Sequence, residues 1–327
     1  MKLLTVSIAA YKADAYIEKA LDSIVLSKYI DEIQVVVVND GSKDKTVDIV
    51  NGYIAKYPTS VDLIDKENGG YGSTINASLK IARGRYYKLL DADDWFNTAE
   101  LDKLIESLKN TTADVVICDY YRYYVADERI ETVKTQNIEY GVVHDIKDLC
   151  SFELNQAFTV KTEIIQNQIY ITEKCLYTDV EFCAKSIINS ADFIYYPYCV
   201  YYYRIGREGQ SVSSEGRMKH AAEHEYVVKE LYDIAFDKLQ NEECKKIILR
   251  LFGDHINYYA VYTKPTRNNV KSFIDFCKYI DSNVPEAVNY FNGRAKRCYK
   301  HPKLFYIPTC VFVRCGHYVK KLLKRKK

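Results

Sequence analysis

Apolar runs alternate with amphipathic helical segments through the first 120 residues, and this alternation restricts the fold more than any other feature of the sequence. The run at 33–38 lacks polar alternation, as expected when both faces of a parallel sheet are covered. Strands are predicted at 3–8, 33–38, 61–64, 86–90 and 114–118, with a helix after each of the first four. Right-handed crossovers then give an α/β, mostly parallel, doubly wound sheet with helices on both faces.

Candidate ligand contacts follow each of the first four predicted strands. Tyr11 follows the first strand and Asp40 the second, a glycine-rich loop at 66–74 follows the third, and an acidic cluster follows the fourth. Because ligands of such sheets bind at the carboxyl ends of the strands, these four features predict one site at one edge.

The acidic cluster consists of Asp91, Asp93 and Asp94, directly before the single tryptophan, Trp95. Carboxylates this close repel one another unless a cation or strong donors neutralise them. Asp oxygens suit Mg²⁺ or Mn²⁺, often completed by substrate phosphates. The alternative is a solvated acidic turn at a strand end.

The glycine patterns of dinucleotide-binding and phosphate-binding loops are both absent. The first turn, Ala9-Ala10-Tyr11-Lys12, cannot wrap a pyrophosphate as a glycine turn does. We therefore expect a nucleoside diphosphate attached to another group, with Asp40 accepting from a base N–H and Tyr11 stacking on the base.

Several segments in this order resemble the inverting family-2 glycosyltransferases of the GT-A (Rossmann-like) fold, in particular the bacterial members that build capsule, exopolysaccharide or other cell-envelope glycans. The resemblance covers about residues 1–213 and predicts a catalytic domain there. It rests on the segments Val6–Tyr11, Val37–Ser42, Glu67–Gly72 with the following Ser73–Asn76, Leu90–Trp95 and Tyr203–Ser213.

The resemblance implies roles at the strand ends. Asp93 is the expected direct ligand of Mn²⁺ or Mg²⁺, and Asp91 faces the ribose or the donor sugar. Asp40 and Tyr11 hold the base. The remaining donor-binding positions are Ala10, Asn68, Gly69, Gly70 and Ala92. A UDP-sugar is the favoured donor. In the first turn, Ala9, Ala10 and Lys12 depart from the Pro-Thr-Tyr-Asn pattern common in the family, so a hydroxyl contact to the nucleotide is missing.

Inverting transfer needs a carboxylate that removes the acceptor proton. The segment Leu176–Phe182 resembles the family's Glu-Asp-x-x-Phe segment, with Thr178 in place of Glu, and implies Asp179 as the general base and Glu181 as the runner-up. The alternative is that Thr178 and Asp179 only cap a helix.

A cationic loop follows the aromatic strand at 201–203. Arg204, Arg207 and Ser211 are predicted to close on the donor diphosphate, since arginine suits bidentate phosphate contacts. The alternative is a solvated basic turn paired with Glu208.

The sequence predicts a helical region at 214–300, followed by a basic amphipathic tail at 301–327. Helices are predicted at 218–240, 243–262, 270–280 and 285–299, as an appendage or a surface for a homodimer. From 287 to 327 there are 12 Lys or Arg and no Asp or Glu, which leaves 34 basic and 44 acidic residues, a net charge of −10, for 1–286. The tail is therefore predicted to lie on an anionic membrane. The acidic body argues against nucleic acid, and a disordered solvated tail is the other alternative.

The sequence also bears on location and acceptor. The N-terminal apolar run is too short for a signal peptide, and no window of about 20 apolar residues spans a membrane. Ten scattered cysteines without a C-x-x-C pair fit a reducing cytoplasm. We expect a cytoplasmic enzyme, peripheral at the inner face of the cell membrane, with a glycan or polyprenyl-diphosphate-linked acceptor. The alternatives are a non-catalytic nucleotide-sugar-binding scaffold and a nucleotidyltransferase, whose glycine-rich basic signature is absent.

Overall fold

The structure is a computed structural model that describes residues 2–149, 155–207, 220–236, 242–306 and 308. The chain divides into two compact units. The first comprises Met1–Arg207 with Lys238–Cys244, and the second comprises Glu208–Asp237 with Lys245–Lys327.

A ten-stranded mixed sheet forms the centre of the first unit. The eight strands along its main path follow the order β3-β2-β1-β4-β9-β6-β10-β5, while β7 pairs with β6 and β8 with β10. The strands are β1 (Lys2–Ala10), β2 (Ile33–Asp40), β3 (Val61–Lys66), β4 (Gly84–Asp91), β5 (Trp95–Phe96), β6 (Val115–Tyr124), β7 (Arg129–Val133), β8 (Val143–Asp145), β9 (Phe158–Lys161) and β10 (Asp192–Ile205). Strands β1 to β4 are mutually parallel, which confirms the predicted doubly wound half.

The fifth predicted strand does not pair with the fourth. Strand β9 lies between them and runs antiparallel to both β4 and β6. The simple succession of five parallel strands was therefore wrong in this detail, because β9 enters the sheet from a segment about forty residues further along the chain than β6. The side chain of Lys88 stabilises this insertion: it is buried, and its Nζ donates to the carbonyls of Gln156 and Phe158 at 2.9 and 3.0 Å.

Helices cover both faces of the sheet, as predicted. The helices of this unit are α1 (Ile17–Val25), α2 (Thr46–Lys56), α3 (Tyr71–Ile81), α4 (Thr98–Asn110) and α5 (Thr178–Ile188). Neighbouring residues of a strand point to opposite faces. On β4, the hydroxyl of Tyr87 contacts Ser78 of α3 at 2.7 Å, whereas Tyr86 donates to Thr111 and Ala113 after α4 at 3.2 and 3.0 Å.

Of the two helix caps that the sequence predicts, the structure contains one. The capping-box spacing of Asn97 and Glu100 predicts a cap for α4, and the Asn97 side chain accepts from the amide of Glu100 at 3.3 Å, which confirms it. The position of Asp14 before an apolar helical stretch predicts a cap for α1, but the cap position is Tyr16 and it makes no side-chain cap bond. The amide of Asp14 instead donates to Asp44 at 3.2 Å, because the two loops at the sheet edge pack together.

The second unit is helical in its described residues. Its helices are α6 (Ala221–Ala235), α7 (Glu242–Tyr262, which starts within the first unit), α8 (Arg267–Asn283) and α9 (Gly293–Lys300), and a 3₁₀ turn, Pro285–Tyr290, precedes α9. The predicted single helix at 285–299 is thus two segments. Phe252 of α7 stacks on Phe276 of α8 with ring centroids 6.0 Å apart, and both rings are buried. In the described residues, no helix combines the length and apolarity needed to cross a bilayer.

Candidate active site

Strand register brings the predicted site residues into one row. Ala9 on β1 pairs with Asp91 on β4, and Ala10 pairs with Asn39 on β2. Asp40 in turn pairs with Lys66 at the end of β3. All these positions are the last residues of parallel strands, so the row lies at the carboxyl edge of the sheet.

Asp40 organises the glycine-rich loop. Its Oδ1 accepts from Lys66 Nζ at 2.6 Å and from the Gly69 amide at 2.8 Å, and its Oδ2 accepts from the Gly70 amide at 2.9 Å. The Asn68 side chain also donates to the Asp40 carbonyl at 2.9 Å. Asp40 is 4% exposed. A carboxylate accepts about four hydrogen bonds, so in the described residues Oδ2 keeps one acceptor direction for a ligand.

Two glycines are required in this loop for different reasons. Gly70 has a φ of +81°, a left-handed conformation that side chains strongly disfavour. A Cβ on Gly72 would lie 2.0 Å from the Thr172 carbonyl oxygen, so a side chain there would separate α3 from the segment before α5.

The three carboxylates of the acidic cluster differ in their environment. Asp94 is buried, and its two oxygens accept from Tyr201 Oη at 2.6 Å and from the Arg204 amide at 2.8 Å. Asp91 accepts only from Tyr71 Oη, at 2.8 Å, among the described residues. Burial and the charge of Asp93 raise the pKa of Asp91 to about 7, although Tyr71 and Arg207 act in the opposite direction, so the charge of this carboxylate is only partly compensated.

The arginines after the acidic cluster contact Asp93. Arg207 forms an ion pair with the Asp93 carboxylate, and Arg204 Nε donates to the Asp93 carbonyl at 2.6 Å. The guanidinium of Arg204 also lies 4.8 Å from the centroid of Trp95 and 5.1 Å from that of Tyr16. The structure therefore brings both predicted arginines to the acidic cluster, whereas Ser211 lies outside the described residues.

The cluster fits a divalent cation that a ligand helps to bind. No group of three or more His, Cys, Asp or Glu side chains suited to a metal ion occurs in the part of the chain that is described. Asp94 is 1% exposed and each of its oxygens already accepts a hydrogen bond, which leaves the carboxylates of Asp91 and Asp93. Two carboxylates match the way in which Mg²⁺ is held, where phosphate oxygens and waters complete the coordination.

The two candidate bases on α5 differ sharply. Glu181 is 1% exposed and accepts from the Thr172 amide at 3.2 Å and from Lys185 Nζ at 2.6 Å, so its oxygens serve packing. Asp179 is partly exposed, and burial raises its pKa, although the amides of Val180 and Asp179 itself act in the opposite direction. The charge of Asp179 also contributes to the raised pKa of Asp91, so the two carboxylates lie within electrostatic range.

The helix-capping alternative for this segment holds for Asp179 only, whose carboxylate accepts from its own amide and from that of Val180 in the first turn. The cap position of α5 is Tyr177, with a φ of 66°, and it makes no side-chain cap bond. Thr178 is fully buried, and its hydroxyl has no hydrogen-bond partner among the described residues. Asp179, although it accepts from amides of the first turn, keeps an exposed part.

The other predicted donor contacts flank the row. Tyr11 is 52% exposed, as a ring available for stacking must be. Ala10 and Ala92 are buried, and the Ala92 amide donates to the Ala9 carbonyl at 3.3 Å, which joins the first turn to the acidic cluster.

Sequence reasoning missed several tyrosines at this edge. Tyr201 Oη accepts from the Asp91 amide at 3.1 Å and donates to Asp94, so it fixes the acidic turn. Burial and the charges of Asp91 and Asp179 raise the pKa of Tyr71, which also accepts from Asn155 Nδ2 at 3.3 Å. The position of Tyr71 in the glycine-rich motif was the available signal, whereas nothing in the sequence singled out Asn155.

Comparisons with known proteins identify the family and the fold. The model of the family described as Glycosyl transferase family 2 matches residues 5–168. An uncharacterized glycosyltransferase of Mycoplasma genitalium, MG025, is 29% identical over 205 residues, which are 59% of this chain and 64% of that protein. The minor teichoic acid biosynthesis protein GgaB of Bacillus subtilis is 26% identical over 211 residues, 62% of this chain and 23% of its own length. The chain thus matches less than two thirds of the length of these two relatives.

A solved structure shares the fold. The crystal structure of S. aureus TarS 1-349 in complex with UDP-GlcNAc superposes with a TM-score of 0.66 at 16% sequence identity, covering 98% of this chain and 92% of that one. The predicted GT-A fold is therefore confirmed.

Proposed function

Because this chain belongs to Glycosyl transferase family 2, we propose that it is an inverting hexosyltransferase that moves a sugar from a nucleoside diphosphate donor to a hydroxyl of a glycan or lipid-linked acceptor in cell-surface polysaccharide synthesis. The observation that carries the proposal is the row of residues at the carboxyl edge. The carboxylates of Asp91 and Asp93, whose negative charge is only partly compensated, lie there with the two arginines that contact Asp93. The partly exposed Asp179 lies within electrostatic range of Asp91.

The nucleoside binds at the ends of β1 and β2. Tyr11 stacks on the base, and Asp40 Oδ2 accepts from a base N–H through its remaining acceptor direction. Gly69 and Gly70 let the backbone approach the donor, and the Asn68 bond to the Asp40 carbonyl fixes the loop. A UDP-sugar is the favoured donor, in keeping with the TarS complex, which contains UDP-GlcNAc.

Asp93 and Asp91 would hold Mn²⁺ or Mg²⁺ beside the donor diphosphate, and the ion would supply positive charge against the negative charge that grows on the leaving diphosphate. Arg204 and Arg207 supply positive charge for the same purpose. Arg207, which is paired with Asp93 here, can exchange that carboxylate for the donor diphosphate.

Asp179 removes the proton from the acceptor hydroxyl as that oxygen attacks the anomeric carbon. The diphosphate leaves from the opposite face of the sugar, so the configuration inverts. The raised pKa of Asp179 makes it a stronger base than an ordinary aspartate. Tyr71 holds Asp91 in place through its hydroxyl, at 2.8 Å.

A polyprenyl-diphosphate-linked acceptor would place the enzyme at the inner face of the cell membrane. The basic composition of residues 287–327, with 12 cations and no acids, supports this peripheral association. The second candidate function, a non-catalytic nucleotide-sugar-binding scaffold, is less favoured because Asp179 and the two metal-binding carboxylates are retained.

Calorimetry with UDP-, GDP- and dTDP-sugars, each with and without Mn²⁺ or Mg²⁺, tests the proposal. We expect one nucleotide class to bind in a metal-dependent manner and Asp93→Ala to lose that binding. Asp31→Ala, which removes an exposed carboxylate from the short turn directly before β2, at the amino edge of the sheet, is the matched control. Binding without donor hydrolysis or transfer would favour the scaffold, and no binding of any donor would refute the proposed site.

A further inference from the structure

Helix α9 carries four cations without acidic partners. Arg294, Arg297 and Lys300 are exposed, and Lys296 is partly exposed. None of them takes part in an ion pair found among the described residues, whereas Lys229 and Lys278 of the second unit do.

The four cations form one continuous face. At about 100° per residue they fall within an arc of about 160°. The buried residues of the helix, Ala295 and Cys298, lie on the opposite side. Packing of the helix against its own unit therefore leaves the entire cationic face to solvent.

An apolar rim adjoins this cationic face. Lys296, Arg297, Lys300 and His301 line a shallow groove, and His301 also lines a second groove together with Ile274, Pro302 and Leu304. Leu304 is 64% exposed. Cations beside an exposed aliphatic side chain are typical of surfaces that lie in a membrane interface, where headgroups meet the cations and the acyl boundary receives the apolar group.

The cations of the chain are concentrated in its C-terminal part. Residues 1–286 carry a net charge of −10, whereas residues 287–327 carry 12 cations and no acids. An anionic bilayer therefore attracts the part of the sequence that contains α9 and gives no net attraction to residues 1–286.

We propose that the cationic face of α9, with Leu304 at its rim, docks on the headgroups of anionic phospholipids. This inference rests on the proposed function, because docking on a membrane brings the enzyme to a lipid-linked acceptor. A soluble polyanion would satisfy the cations but would leave the exposed Leu304 without a role, so a lipid surface is the favoured occupant.

Sedimentation with vesicles of phosphatidylcholine, with or without phosphatidylglycerol, tests the docking on the full chain. Each cation near an anionic surface adds about 1 kcal/mol, or about fivefold in binding. The triple variant Arg294→Gln/Arg297→Gln/Lys300→Gln should therefore bind phosphatidylglycerol vesicles roughly 100-fold more weakly than the unmodified chain. The single variant Lys300→Gln should show about a fivefold loss and guards against misfolding of the triple variant.

The matched control is Lys56→Gln/Lys80→Gln/Lys134→Gln, which removes the same charge from exposed positions of the first unit. It should bind vesicles almost as the unmodified chain does. Leu304→Ser should weaken binding without changing its salt dependence, since it removes no charge.

Three results would overturn the docking: equal binding by the α9 variant and the control, equal binding to neutral vesicles, or tighter binding of soluble polyphosphate than of phosphatidylglycerol vesicles. Donor binding in solution, measured without vesicles, separates this inference from the proposed function. Failure of vesicle docking leaves donor binding unchanged, and failure of donor binding leaves the vesicle result intact.

Discussion

Two acidic regions share the carboxyl edge of the sheet, and they differ in how their charge is compensated. Asp40 receives two backbone amides and the Lys66 ammonium. Asp91 receives one tyrosine hydroxyl, and its charged neighbours Asp93 and Asp179 raise its pKa. A carboxylate with most of its acceptor directions filled builds the loop, whereas an under-compensated carboxylate is available for a cation, a proton or a substrate.

The same contrast recurs within α5. Glu181 is paired with Lys185 and with the Thr172 amide, whereas burial raises the pKa of Asp179. Substitutions should therefore separate the two classes: loss of a paired carboxylate lowers stability, and loss of an under-compensated one lowers activity.

The largest expected effect is that of Asp179→Asn on turnover. Loss of a general base lowers kcat by about 10²- to 10⁴-fold. Stability should be unchanged or slightly higher. Because the folded-state pKa of Asp179 is raised, the folded protein binds more protons, and the ionised form at neutral pH opposes folding. Initial rates and thermal denaturation of the same preparation measure both effects, and near-normal kcat in a folded variant would remove the assignment.

The second prediction concerns Asp40→Asn, which should act mainly on stability. Removing one charge of a buried ion pair costs about 3–5 kcal/mol, and an Asn also sets an N–H against the loop amides. Side chains of the Asp40–Lys66 pair are 6% and 25% exposed, so the low end of this range is expected. Urea denaturation measures the loss.

Glu106→Gln is the control for this ion pair. It breaks the exposed pair between Glu106 and Lys28, whose side chains are 51% and 60% exposed, and should leave the free energy of unfolding almost unchanged. An equal loss in both variants would show that burial does not distinguish the two pairs.

The third prediction is that Glu181→Gln lowers the free energy of unfolding by about 2–3 kcal/mol, because a charged hydrogen bond to Lys185 is lost from a buried position. The folded fraction should keep kcat within about tenfold of the original value, well short of the loss expected for a general base. If kcat instead collapses while the melting temperature is unchanged, Glu181 rather than Asp179 is the base.

The smallest expected effect is that of Tyr71→Phe. It removes one hydrogen bond to Asp91, worth about 1 kcal/mol, and should lower kcat/KM for the donor about fivefold. Tyr87→Phe is the control, since its hydroxyl contacts Ser78, about two turns along α3 from Tyr71, and its loss should leave donor use unchanged. Equal kcat/KM values for the two variants would show that the hydrogen bond from Tyr71 to Asp91 does not affect donor use.

Much of the site was predictable because the signals are local in sequence. Asp40, the glycine-rich loop and Asp91 each follow a recognisable strand, and parallel strands bring their carboxyl ends together without further information. The absence of a glycine turn after β1 likewise argued, from the sequence alone, against a dinucleotide-binding loop.

The misplaced details depend on contacts between distant segments. Strand β9 lies between β4 and β6 because its backbone pairs with both, and hydrophobic periodicity does not predict which strands pair. The position of Asp14 in the sequence predicts a helix cap, but in the structure its amide donates to Asp44 of a neighbouring loop at the sheet edge.

The sequence by itself determined the α/β order, the edge at which a ligand binds and the family resemblance, since these follow from periodicity and from residues at strand ends. Only the tertiary structure decided which carboxylates are compensated. Arg207 reaches Asp93 across more than a hundred residues, and Thr172 reaches Glu181 from the loop before α5. Charge compensation depends on three-dimensional proximity and burial, and the linear order of residues specifies neither.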